Sequence, residues 1–144
     1  MHTLVTKTYK ETQNAGIKLA DKLKQGGVVA LFGNLGSGKT TFVQGLAKGL
    51  GIKQKIISPT FIIARKYDVP KSSLFNHKSF YHIDLYRIES EKDILGLGLT
   101  EIINDKENIV AIEWPEKIEK ILPKERTDIY FEYELEDKRK IRII

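Results

Sequence analysis

The chain has 144 residues, of which 41% are hydrophobic and 30% charged, a balance that excludes a disordered tail. It contains no cysteine, which excludes disulfides, thiolate metal sites and thiol nucleophiles. Its formal charge of +5 rests mainly on lysines scattered along the chain, a pattern shared by an ordinary solvated surface and by a face for an acidic or nucleic-acid partner.

The opening MHTLVTKTYK lacks the apolar core of a signal peptide and no later run approaches the length of a membrane span, so one cytoplasmic domain over residues 1–144 is expected. Thr12 to Lys24 places Ala15, Leu19, Ala20 and Leu23 on one helical face, with Thr12 or Asn14 as the cap and Gly26-Gly27 as the stop. Val28 to Phe32 is continuously apolar and reads as a strand buried on both faces. A glycine-rich loop follows, and from Lys39 to Leu50 the residues Phe42, Val43, Leu46, Ala47 and Leu50 recur at helical spacing. Thr60–Tyr67 and Phe80–Arg87 read as strands around a long polar loop, expected to be mobile. Asp93–Asn104 is a weak helix interrupted by Gly96 and Gly98, Asn108–Glu113 a further strand, and Pro115–Leu122 a short amphipathic helix. Asp128–Leu135 and Lys140–Ile144 close the chain as an antiparallel hairpin. Strands and helices in alternation predict an α/β fold, a mainly parallel sheet flanked by helices.

Gly33 to Thr40 (GNLGSGKT) matches G-x-x-x-x-G-K-[ST], and each part has a physical reason. Gly33, Gly36 and Gly38, with Ser37 between the last two, let consecutive backbone amides turn inward around phosphate oxygens at the start of a helix whose dipole favours negative charge. Lys39, expected on a solvent-facing loop, supplies a point charge to the terminal phosphates, and the Thr40 hydroxyl is a hard oxygen suited to Mg²⁺. The preceding buried strand and the following helix are the context that this motif requires. A nucleoside triphosphate is the expected ligand.

Two predicted strands end in carboxylates, FYHID at Asp84 and NIVAIE at Glu113. In a parallel sheet the carboxyl ends share the edge that carries the phosphate loop, so both acids are expected to face the nucleotide. One would hold Mg²⁺ and the other orient an attacking water. His2, His77 and His82 have no metal-ligand spacing, and His82 reads as a hydrogen-bonded structural histidine.

The segments Gly33–Thr41, SPTF (Ser58–Phe61), HIDLYR (His82–Arg87) and IEWPEK (Ile112–Lys117), in this order and spacing, closely resemble the bacterial TsaE family over most of the chain. The resemblance implies a small P-loop ATPase fold and a role in forming threonylcarbamoyladenosine (t6A) at position 37 of tRNAs that read codons beginning with A. The implied partners are TsaB and TsaD, with tRNA met through their complex. It makes Gly36 to Thr41 the phosphate-binding segment, Thr40 and Glu113 the Mg²⁺ ligands, and Asp84 part of a Walker B-like element. Thr60 takes the place of a switch-like threonine that senses the γ-phosphate, Thr12 of a threonine near adenine, Arg139 of a basic residue near the nucleotide, and Trp114 of a tryptophan beside the site. The chain departs from the pattern at Asn34, where many family members carry an acid.

A small-molecule kinase is the alternative; it would need arginines to clamp the transferred group, and the chain has only Arg65, Arg87, Arg126, Arg139 and Arg142. A third reading is a nucleotide-sensing module that works by changing shape.

Overall fold

The computed structural model describes residues 1–59, 62–71 and 79–144. Its elements run β1 (His2–Thr6), α1 (Tyr9–Ala20), β2 (Gly27–Phe32), α2 (Lys39–Gly49), β3 (Ala64–Asp68), β4 (Ser79–Asp84), α3 (Leu99–Asn104), β5 (Asn108–Glu113), β6 (Thr127–Tyr133) and β7 (Arg139–Ile143). Short 3₁₀ segments lie at Asp21–Leu23, Glu91–Ile94 and Pro115–Ile121.

The strands form one sheet in the order β1-β7-β6-β2-β5-β4-β3. Its centre, β6-β2-β5-β4, is parallel throughout, and antiparallel strands lie at both margins: β3 on β4, and the β6–β7 hairpin extended by β1. Val28 to Leu31 of β2 are at most 5% exposed, as the continuous apolar run requires of a strand covered on both faces. On one face, Leu19, Ala20 and Leu23 from α1 and its extension and Phe42, Val43, Leu46 and Ala47 from α2 pack over Val29, Leu31, Ala111, Ile129 and Ile141. On the other, Leu99, Ile103 and Ile118 cover Val28, Ile83, Val110 and Ile112.

Helix α1 starts earlier than its apolar spacing predicts. Thr8 caps it, its hydroxyl accepting from the Glu11 amide at 3.1 Å, while the Glu11 carboxylate accepts from the Lys7 amide at 2.6 Å. Thr12 is therefore an interior residue, not the cap, and the α-helix ends at Ala20, well before Gly26. The two helices on this face touch backbone to backbone: a Cβ on Gly45 would lie 2.0 Å from the Gln13 carbonyl oxygen, and one on Gly16 2.2 Å from that of Phe42. This contact fixes Thr12 relative to the start of α2. In the weak-helix segment, Gly98 in the left-handed conformation opens α3, so the expected single helix becomes a 3₁₀ turn and a six-residue helix. The Pro115 helix is a kinked 3₁₀ segment with Ile118 out of helical geometry. Thr60 and Phe61, at the start of the second predicted strand, and 72–78 of the predicted mobile loop lie outside the described residues. No helix among the described residues is long and apolar enough to cross a membrane.

Candidate functional site

At the carboxyl edge of the parallel strands, the loop between β2 and α2 borders a cavity of about 540 Å³. Thr12, Gly36, Ser37, Gly38, Lys39, Thr40, Thr41, Asp84, Glu113, Trp114 and Arg139 all line it. Gly33 sits behind the loop, so close to β6 that a Cβ would lie 2.9 Å from that of Phe131. Thr60 lies outside the described residues. Strand register accounts for several of these meetings. Asp84 pairs with Glu113 across β4 and β5, and Arg139 of β7 stands between Tyr133 of β6 and Thr6 of β1 at the same edge.

Gly38 has φ of 105°, a left-handed conformation that glycine adopts freely, and the loop turns there into α2. A Cβ at this position would meet the Thr12 methyl at 3.7 Å and the Arg139 guanidinium at 3.8 Å, so these two residues flank the loop. Thr12 is buried, and its hydroxyl meets that of Thr6 at 2.8 Å, tying α1 to β1. The Ser37 hydroxyl is buried and has no hydrogen-bond partner among the described residues.

Lys39 does not face solvent as expected. It is 4% exposed, its ammonium donating to the carbonyls of Gly33 and Asn34 and lying 4.2 Å from the centre of the Trp114 ring. Asn34 thus contributes its backbone carbonyl to the loop. Burial pushes the Lys39 ammonium below its ordinary value of 10.5, partly offset by the negative charges of Glu113, Glu116 and Asp84.

The carboxylates are held firmly. The Thr40 hydroxyl donates to Glu113 at 3.0 and 3.1 Å from its two oxygens, joining the first turn of α2 to the end of β5. Asp84 accepts from the Ser58 hydroxyl at 2.5 Å and from the Tyr86 amide at 3.0 Å. Ser58 belongs to the SPTF motif, in which the resemblance singles out the threonine instead; the bond crosses 26 positions and leaves no local pattern. His82, the expected structural histidine, is fully buried and bonded to Glu113, with Nε2 2.6 Å from Oε2.

The family model for the threonylcarbamoyl adenosine biosynthesis protein TsaE matches residues 6–141. This chain belongs to the TsaE family. A Bacillus subtilis protein named tRNA threonylcarbamoyladenosine biosynthesis protein TsaE is 39% identical over 132 residues, 92% of this chain and 78% of its own. A Nostoc protein of the same name is 45% identical over 112 residues, 76% of this chain and 65% of its own. Among solved structures, the crystal structure of Bacillus subtilis YdiB superposes with a TM-score of 0.79 at 33% identity, covering 97% of this chain and 82% of that one. The TsaE match spans all four motifs that carried the resemblance, and the likeness to YdiB takes in both the parallel centre and the antiparallel margins of the sheet.

Proposed function

We propose that this chain binds and hydrolyses ATP with Mg²⁺, as a subunit acting with TsaB and TsaD to form t6A at position 37 of tRNAs reading codons that begin with A. The observation that carries the reading is the Thr40–Glu113 pair at the phosphate loop, a hydroxyl and a carboxylate within 3.0 Å of each other at the mouth of α2. Mg²⁺ at nucleotide sites takes one or two protein oxygens and draws its other ligands from phosphate and water, so this pair is a sufficient protein share. The Ser37 hydroxyl, unpartnered among the described residues, the N–H groups that a helix leaves free in its first turn and the Lys39 ammonium fit a polyphosphate.

Each residue then has a defined task. The loop amides and Lys39 hold the phosphate chain, with Lys39 leaving the carbonyls of Gly33 and Asn34 to meet charge that suits it better. Thr40 and Glu113 hold the metal, which when bound supplies charge neutralisation at the phosphates. Asp84, oriented by Ser58 and the Tyr86 amide, aligns the attacking water. Thr12 and Arg139 border the nucleoside end, and Thr60 retains the proposed role of γ-phosphate sensor. Arg139 is the one arginine lining the cavity among the described residues, which favours hydrolysis over a kinase with its arginine clamp. A cytoplasmic location and contact with tRNA through the TsaB–TsaD complex complete the proposal.

The deciding experiment measures ATP turnover by the chain alone, then with TsaB and TsaD, then with tRNA added. Strong stimulation by the two proteins is expected. Phosphoryl transfer to a metabolite, or turnover indifferent to the partners, would overturn the reading.

A further inference from the structure

We infer that His82 is a positioning residue that sets the Glu113 carboxylate for its divalent cation, an inference that rests on the function proposed above. His82 and Asp84 lie two residues apart on β4, and Ala111 and Glu113 two apart on β5, so all four point to the α2 side of the sheet. In register, His82 is opposite Ala111 and Asp84 opposite Glu113. The small Ala111 leaves room for the imidazole to lie beneath Glu113 and reach its Oε2 at 2.6 Å.

Carboxylate oxygens in this bond only accept, so Nε2 carries the proton and donates it. The ring's other nitrogen, Nδ1, is buried with no hydrogen-bond partner among the described residues. A purely structural role explains that arrangement badly. A buried imidazole with one polar atom unmatched is costly, and its neighbours Phe80 and Ile83 fill equally dry positions with apolar side chains. Among the described residues the ring's single bond goes to the carboxylate that also accepts from Thr40. Glu113 is therefore clamped from below by His82 and from α2 by Thr40, and its rotamer is set before any cation arrives. Partners of metal-binding carboxylates and histidines act in this way, by orienting the ligand and tuning its charge.

The test compares wild type with His82→Leu, which removes the donor, and His82→Gln, whose amide nitrogen stands near the position of Nε2. Binding of ATP is followed by calorimetry, first in EDTA and then across a Mg²⁺ titration. His82→Leu is expected to raise the Mg²⁺ concentration for half-maximal effect roughly 10- to 100-fold while ATP affinity in EDTA stays within a few-fold, and His82→Gln to recover most of the loss. An unchanged Mg²⁺ dependence in His82→Leu, or no recovery by a folded His82→Gln, would overturn the inference. Should the variants fail to fold, nitrogen NMR of His82 in the wild-type chain decides: the expected ring is protonated at Nε2 and its signals shift in Glu113→Gln, whereas protonation at Nδ1 alone, or signals indifferent to Glu113, overturns it. Wild-type protein that binds ATP with no Mg²⁺ dependence would instead defeat the metal site itself, and this inference with it.

Discussion

The two ends of the cavity are built differently. At the β4–β5 end, Asp84 and Glu113 are buried, and each carboxylate is bonded to side chains brought from elsewhere in the chain: Ser58 for the first, Thr40 and His82 for the second. At the β1–β7 end the lining includes Lys7, Tyr9, the buried Thr12 and Arg139, on or near the antiparallel margin; Tyr9 is 64% exposed, and Arg139 bonds the Asp137 carbonyl beside the Tyr133 ring. The first end is held by bonds from distant parts of the chain, whereas at the second Tyr9 stands exposed and Arg139 is held by residues of its own hairpin. On the proposed function, chemistry falls at the first end and affinity at the second, because reaction rates depend on placement to a fraction of an ångström whereas binding tolerates adjustment.

Substitutions sharpen or break this contrast. The largest effect is expected from Asp84→Asn: turnover falls by roughly 10² or more while ATP affinity stays within a few-fold. Wild-type turnover in this variant would make the strand-end carboxylate structural. Glu113→Gln is expected next, lowering turnover and moving the Mg²⁺ titration to higher concentration, since a neutral amide is a poorer ligand for a hard cation; an unmoved titration curve would remove Glu113 from the metal site. Lys39→Ala should keep the fold but lose most of the ligand-induced stabilisation, about 2.7 kcal/mol at a hundredfold excess over Kd, as read by thermal unfolding with and without ATP and Mg²⁺. Arg139→Ala should do least, weakening ATP binding a few-fold with turnover at saturation unchanged. A fall in turnover as large as that of Asp84→Asn would erase the distinction between the ends.

Lys39 adds a pH dependence. Its folded-state value lies below the ordinary 10.5, so in the window between the two the unfolded chain binds more protons and stability contributed by this group rises with pH. The same window should weaken ATP binding, because the phosphates need the charged form. Denaturant unfolding of wild type and Lys39→Ala across this range checks the sign: the wild-type gain should be missing from the variant.

What could be read from the sequence depended on the range over which each feature is encoded. The apolar runs of β2 and β5 and the helical spacing of α2 are local, and their apolar residues are buried as expected except Phe32, which is half-buried at the end of β2. That β4 and β5 end together in acids follows from their composition once the sheet is parallel, and the register pairs Asp84 with Glu113. The apolar spacing begins only at Ala15 and so points to a cap at Thr12 or Asn14, whereas the capping signature Thr8-Tyr9-Lys10-Glu11 starts the helix earlier. Strand β1 was missed because only Thr6 of its five residues is buried, leaving no alternation to detect. Side-chain partners 26 or 31 positions apart, Ser58 to Asp84 and His82 to Glu113, have no local signature at all. The inward turn of Lys39 is likewise a property of the folded loop and of Trp114 above it.

Trp114 itself has a left-handed backbone, φ 61°, between the last residue of β5 and Pro115. That bend is unusual for a bulky residue, and it is what brings the indole over the Lys39 ammonium and within 5.2 Å of the Tyr86 ring. The chain has a single tryptophan beside six tyrosines, so emission excited at wavelengths where only indole absorbs originates at this one place, against the charge that on the proposed function moves when the loop takes up phosphate. If the loop binds nucleotide as proposed, the molecule carries its own optical gauge of loop occupancy, readable in milliseconds by stopped flow without a dye.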